Sequence, residues 1–365
     1  MCKSISEVFE NHAKSGNITG ATFSILDNGK QICCDTVGFF DVDKTKRLKD
    51  DAIFRLASMT KPITAVAVLI LRERGLINID KPVSQYVDFN HGGVGKMVDG
   101  KPSFVCSARE ITLRDCLCHA SGLGSGVVGN YQLVSRAKPY DLKKYVSCWN
   151  GALLDFLPMQ KQEYSPIVAF DLIACCVETV ANMPYEKFLQ KEIFAPLNMT
   201  ETCYQLSEEQ KPRLVEMCKT DGDGKLVKVD FGYKAFHLFE QGYTGGGAGL
   251  FSTIGDYVKF VTMLSNKGEY NGKRILSEQS ILDMATPQIA INDYEDWGLG
   301  VRIVKKQDEY QSLPIGSFGW SGAYGTHFWV EPTGKSAVFM LNKADVNGSG
   351  SKYSKQFERL VQSYL

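Results

Sequence analysis

Phe54-Arg-Leu-Ala-Ser58-Met-Thr-Lys61-Pro-Ile-Thr-Ala-Val66 is the stretch from which the rest of the chain can be read. Ser58 and Lys61 stand three residues apart, so on a helix they share a face one turn apart. Pro62 sets where that helix begins. Inside a helix a proline costs about 3 kcal/mol, but in the first turn its missing N–H is a donor that would go unpaired anyway. The spacing therefore predicts a helix starting near Ser58, running over 59–74 and stopped by Gly75. Ser58 then lies at the positive end of the helix dipole, among free backbone N–H groups that favour a developing alkoxide or oxyanion. Lys61 enters a strongly apolar helix, where its charged form is disfavoured and it can share protons with a serine. A bare Ser-x-x-Lys also arises by chance, so at this point a serine cap beside an exposed lysine stays open.

Upstream, residues 3–15 read as a short amphipathic helix with Ile5, Val8, Phe9 and Ala13 on one side. Ala21 to Leu26, the turn Asp27-Asn28-Gly29-Lys30, and Gln31 to Val37 read as a β-hairpin, because Asn-Gly supplies the positive φ angles of its turn. Downstream, residues 76–225 carry mostly helical pattern, at 112–118, 141–156, 166–181 and 185–194. The Gly/Ser-rich stretch Ser121–Gly126 reads as an exposed loop, and Asp221-Gly-Asp-Gly224 as a turn returning the chain to its first layer. After Ala248 come a helix at 253–266, strands at 298–304, 324–331 and 336–342, and a last helix at 352–364. Sheet-forming sequence thus sits at both ends. The expected architecture is α/β (α+β): one sheet completed by both termini, flanked by terminal helices, with an inserted helical region. In residue terms, 1–57 with 226–365 form the sheet domain, 58–225 the helical domain, and the active site lies between them.

At 365 residues, with 44% apolar and 22% charged residues, the chain is neither mainly disordered nor collagen-like nor a coiled coil. Lys+Arg and Asp+Glu both number 41, and the basic residues are scattered, which gives no electrostatic footprint for nucleic acid or an anionic membrane. The longest apolar run, Ala65 to Leu71, is far below the ~18–20 residues that span a bilayer. The first residues contain no apolar signal core, and the expected location is cytoplasmic. Eleven cysteines, an odd number without any Cys-x-x-Cys, read as reduced thiols acting as small core hydrophobes. His12, His91, His119, His237 and His327 show no metal-ligand spacing, and His119 reads as structural. Gly245-x-Gly-x-Gly lacks the spacing of a phosphate loop, and no Gly-x-Ser-x-Gly elbow occurs.

The opening stretch, with Asp80-Lys-Pro-Val-Ser-Gln-Tyr86, closely resembles the serine β-lactamase-like proteins of the class C type. That group includes class C β-lactamases, DD-peptidases, family VIII carboxylesterases and related acyltransferases. The resemblance continues in order through Ile111–Leu123, Ile193–Thr200, Gly245–Thr253 and Gly319–Thr326, and so covers almost the whole chain. It implies a β-lactamase/transpeptidase-like fold with an antiparallel sheet, Ser58 as nucleophile and Lys61 as its partner. The family's second motif, Tyr-x-Asn, matches Tyr164-Ser165-Pro166 here, with proline in place of asparagine. A phenol has a pKa near ~10, so Tyr164 as a base needs a nearby cation, and Lys61 is the implied one.

The third motif is Lys-Thr-Gly, or His/Trp-x-Gly in esterase-like members. Trp320-Ser321-Gly322-Ala323 occupies it, just before an expected strand. By the same resemblance the N–H groups of Ser58 and Ala323 form the oxyanion hole, and Trp320, Ser321 and Gly322 meet substrate. Trp320 carries no charge to hold a substrate carboxylate. The expectation is a serine hydrolase cleaving an ester or amide through an acyl-serine, carboxylesterase-like, with no metal or organic cofactor and a small-molecule substrate. The alternatives are a β-lactamase or D-amino-acid peptidase, an acyltransferase, or a non-catalytic penicillin-binding-like protein. The sequence leaves the oligomeric state open.

Overall fold

A computed structural model describes residues 1–136, 141–229, 243–346 and 351–364; His237 lies outside them. Helix α1 (Cys2–Lys14) buries Ile5, Phe9 and Ala13, the side that the sequence marks as apolar. Strands β1 (Gly20–Asp27) and β2 (Lys30–Gly38) form the expected hairpin, turning through Asn28 at φ 47° and Gly29 at φ 72°. Both angles belong to the turn type whose twist matches that of paired strands.

Helix α2 (Thr60–Glu73) follows a single tight turn, Ala57–Met59, and is buried from Thr60 through Leu71. A helix apolar on all sides has to lie inside, not on a surface. Around it pack α3 (Val168–Ala181) and α4 (Ile254–Ser265). The remaining strands of the main sheet are β3 (Ile289–Ala290), β4 (Glu295–Trp297), β5 (Arg302–Val304), β6 (Phe318–Ser321), β7 (His327–Val330) and β8 (Lys335–Met340), followed by α5 (Lys352–Tyr364). They make one eight-stranded sheet in the order β3-β4-β5-β6-β7-β8-β1-β2, antiparallel at every step.

The period-two alternation of the strands sorts their side chains into two cores. Phe328, Val330, Val338 and Met340 enter the large core shared with α2, α3 and α4. Trp329, Ala337 and Phe339 enter a second core on the opposite face, closed by Phe9 of α1 and Phe357 of α5. One irregularity positions the site. β6 pairs with β5 only at Phe318 and Gly319, while its pairing with β7 continues through Trp320 and Ser321. The last two residues of β6 therefore run past β5 and leave an open strand edge.

Several expectations need correction. Ser121–Gly126 is not exposed: Ser121 and Leu123 are fully buried. Its glycines serve close packing, since a Cβ on Gly122 would lie 2.5 Å from the Phe156 carbonyl. The helix expected over 141–156 ends at Ser147. A hairpin of Val94–Val98 and Lys101–Cys106, turning at Asp99-Gly100, occupies a region read as helical or loop. Trp320 and Ser321 precede the expected strand, now β7, but lie in a strand of their own, β6, that was not expected. The cysteines are not all free thiols: Cys2 is bonded to Cys33, because the start of α1 lies against β2 with the two Cα atoms 5.6 Å apart, within disulfide reach. Cys116, Cys118, Cys175, Cys176 and Cys218 are buried thiols, as expected. Among the described residues, no single helix is long and apolar enough to cross a membrane.

Candidate active site

The nucleophile candidate is held by its backbone first. Ala57 adopts φ 46°, a region that side-chain-bearing residues rarely occupy, and it is packed against Met217 and Tyr324. This kink turns the chain from the strand segment Ile53–Arg55 into α2 and presents Ser58 at the junction. The junction is fastened on three sides. Leu56 N–H donates to the Leu250 carbonyl at 2.9 Å, Thr326 donates to the Leu56 carbonyl at 3.1 Å, and Tyr257 donates to the Met59 carbonyl at 2.9 Å.

Lys61 is 1% exposed and lies directly behind Ser58. Its Nζ donates to Ser58 Oγ at 3.2 Å, to the Pro166 carbonyl at 2.6 Å and to the Gly247 carbonyl at 2.7 Å. All three donors of the ammonium are thus placed, two of them on carbonyls that can only accept. Pro166, which lacks the asparagine side chain of the second motif, contributes its backbone oxygen. The Gly-rich segment reaches Lys61 because it carries no side chains: a Cβ on Gly246 would lie 2.2 Å from the Phe170 carbonyl. Asp171, fully buried on α3, clamps that segment by accepting from the Gly247 N–H at 3.0 Å and from the Tyr243 hydroxyl. Burial pushes its carboxyl up to about 6, against the pull of those two bonds and the Lys61 charge.

Tyr164 completes the cluster, its hydroxyl donating to Ser58 Oγ at 2.7 Å. Its ring is 5.0 Å from Lys61 Nζ and is packed by His119 at 4.5 Å, Trp320 at 5.4 Å and Trp297 at 6.1 Å between centroids. His119 accepts from the Ser165 N–H through Nδ1 at 3.1 Å, which leaves the proton on Nε2. Burial, reinforced by the Lys61 charge, holds its pKa well below the usual histidine range. His119 therefore positions the tyrosine segment as a neutral ring, the structural part expected of it.

These groups open into a cavity of about 440 Å³ lined by Ser58, Tyr164, Trp297, Trp320, Ser321 and Ala323, together with Ile291, Gln162, Glu163, Glu295 and Arg302. Ala323 begins the turn after β6, and its N–H has no acceptor among the described residues. Gly322 differs from expectation. It is absent from the cavity wall, and a Cβ there would lie 2.2 Å from both the Leu56 carbonyl and Thr326 Oγ1. Its glycine serves the seam between this turn and the Ser58 junction. Arg302 supplies a cation on the wall, but Glu295 faces it at 3.1 Å and Glu358 at 3.9 Å. Trp297, Asp171 and Arg302 carried no local signal in the sequence. Each acts through neighbours distant along the chain. Among the described residues, no group of three His, Cys, Asp or Glu side chains is placed to hold a metal ion.

The Beta-lactamase family model matches residues 5–362, nearly the whole chain. The chain belongs to the Beta-lactamase family. Family membership makes it a serine hydrolase of the β-lactamase fold. Protein Rv1367c of Mycobacterium tuberculosis is 27% identical over 354 residues, covering 90% of this chain and 86% of its own. Esterase EstB of Burkholderia gladioli is 25% identical over 381 residues, covering 95% and 91%. Among solved structures, EstCE1, described as a hydrolase with promiscuous acyltransferase activity, superimposes with a TM-score of 0.82 at 22% identity, covering 99% of this chain and 98% of its own. The antiparallel sheet between terminal helices, with an inserted helical region, is the β-lactamase/transpeptidase-like architecture that the resemblance implies.

Proposed function

We propose that this family member is a carboxylesterase that cleaves small neutral esters through an acyl-Ser58 intermediate. The observation that carries the reading is the convergence of Lys61 Nζ and Tyr164 OH on Ser58 Oγ, at 3.2 and 2.7 Å, at the floor of a cavity. Once Tyr164 has released its own hydroxyl proton to solvent, its oxygen, beside the Lys61 cation, takes the Ser58 proton while Oγ attacks the ester carbonyl. The N–H groups of Ser58 and Ala323 receive the negative charge on the carbonyl oxygen. The ester C–O bond then breaks, and Tyr164 returns the proton to the departing alkoxide. Water repeats the sequence on the acyl-serine and releases the acid.

The preference for neutral esters rests on the wall. Trp320, Trp297 and Ile291 are apolar, while Glu163 and Glu295 face the same space as the paired Arg302. A lost charged hydrogen bond is worth about 1.5–3 kcal/mol, so a substrate carboxylate without a free cation loses roughly ten- to a hundredfold. The likeness to an esterase along most of the chain supports the same choice. Side-by-side kinetics test it. p-Nitrophenyl butyrate is expected to exceed benzylpenicillin in kcat/KM by roughly ten- to a hundredfold, with turnover lost in Ser58→Ala. β-Lactam hydrolysis as fast as ester hydrolysis would refute the esterase reading in favour of a β-lactamase.

A further inference from the structure

Ser321 lines the cavity, yet its hydroxyl is engaged from behind. Ser321 Oγ lies 2.8 Å from His327 Nδ1, its cross-strand neighbour. His327 Nε2 lies 3.0 Å from Glu358 Oε1 of α5, a short contact that is not linear. His327 and Glu358 are 1% and 0% exposed. Glu358 is further faced by Lys355 Nζ at 2.8 Å and by Arg302 at 3.9 Å. None of these contacts is needed by the acyl-transfer steps above.

Charge and lone-pair repulsion place the protons along this chain. Burial alone would raise the Glu358 carboxyl, but its contact with His327 and the charges of Lys355 and Arg302 outweigh that and hold it below the usual carboxylate range. Burial, opposed by Glu358, keeps His327 below the usual histidine range, so its ring is neutral and has one N–H. A bare nitrogen lone pair 3.0 Å from a carboxylate oxygen would be repelled, so that N–H is on Nε2. Nδ1 is then an acceptor, and Ser321 must spend its only proton on it. What the Ser321 hydroxyl has left to offer a ligand in the cavity that this residue lines is oxygen lone pairs alone.

We propose that the Ser321–His327–Glu358 chain makes Ser321 a fixed hydrogen-bond acceptor that selects esters bearing a hydroxyl or N–H donor and disfavours groups that can only accept. This deepens the esterase reading and rests on it. His327 and Glu358 are positioning residues, acting only through the Ser321 hydroxyl.

Matched pairs of esters test the proposal: hydroxyl against methoxy on the third carbon of a butanoyl chain, and the same pair at the end of an ethyl alcohol portion. A neutral hydrogen bond predicts that wild type favours the hydroxyl member of at least one pair in kcat/KM by about two- to tenfold. Ser321→Ala abolishes that preference. In Glu358→Gln, Lys355 and Arg302 draw the amide oxygen, and the amide N–H₂ turns to His327 Nε2. The imidazole proton then moves to Nδ1, Ser321 becomes a donor, and the methoxy member gains. A purely structural role would not move this ratio. Where Glu358→Gln fails to fold, the ¹⁵N spectrum of wild type, with His327 assigned through His327→Gln, gives the same answer: a neutral ring protonated on Nε2 supports the proposal, and protonation on Nδ1 overturns it. Ser58-dependent turnover with no preference in either pair overturns this inference alone. Turnover that survives Ser58→Ala overturns the esterase reading and this inference with it.

Discussion

Ser58, Lys61 and Tyr164 share one hydrogen-bonded cluster, and their coupling gives the sharpest prediction at the scale of residues. If Lys61 and Tyr164 move a single proton together, removing either costs nearly as much as removing both. Lys61→Ala and Tyr164→Phe should each lower kcat by several orders of magnitude, and the double variant should fall little further. Multiplicative losses would show two independent groups. Ser58 and Lys61 were legible in the sequence because three residues on a helix is a local relation and Pro62 fixes the helix start. Tyr164 was legible only through the resemblance, since nothing near it distinguishes it from fifteen other tyrosines. Asp171 was not legible at all, because its meaning comes from Gly247 and Tyr243, far along the chain. It makes a second prediction. Its carboxyl is raised to about 6, so the native state binds the proton more tightly than the unfolded chain does. Its contribution is therefore most favourable below about pH 4 and is lost as pH rises through about 6. The stability of wild type relative to Asp171→Asn should fall by up to about 3 kcal/mol between pH 4 and pH 7, read by urea denaturation at each pH. A difference that stays flat would mean that Asp171 remains ionised throughout.

Among elements, the turn after β6 and the junction before α2 behave as one seam. Gly322 N–H donates to the Thr326 carbonyl at 2.7 Å, and Thr326 in turn holds the Leu56 carbonyl. A side chain at Gly322 would strike that carbonyl, so Gly322→Ala has to part the two backbones that carry Ser58 and Ala323. Sub-ångström displacement of oxyanion donors weakens transition-state binding more than substrate binding. The expected result is a drop in kcat of about a hundredfold with KM within a factor of a few. An unchanged kcat would remove Ala323 from the oxyanion hole. The elements themselves were unequally readable. β1 and β2 announced themselves by alternation around Asn28-Gly29, and α2 by its apolar run. The hairpin at Asp99-Gly100 carried the same kind of turn dipeptide, but its strands are largely exposed and lack apolar alternation. β6 is four residues long and buried on both faces, too short for any periodicity to register.

Over the whole molecule, the two cores explain why terminal segments and inserted helices must fold together: β7 and β8 contribute alternate side chains to each. The order of the blocks was legible because each holds its own turn or helix signal. The layout of the cavity was not, because Trp297, Trp320 and Tyr164 meet only once sheet and helices have packed. Turnover by this protein stands on acylation of Ser58, and that is directly measurable. Intact mass after treatment with a fluorophosphonate should show a single adduct on wild type, mapped by peptide digestion to the segment that contains Ser58, and no adduct on Ser58→Ala. An adduct on another serine, or one that persists in Ser58→Ala, would contradict the account.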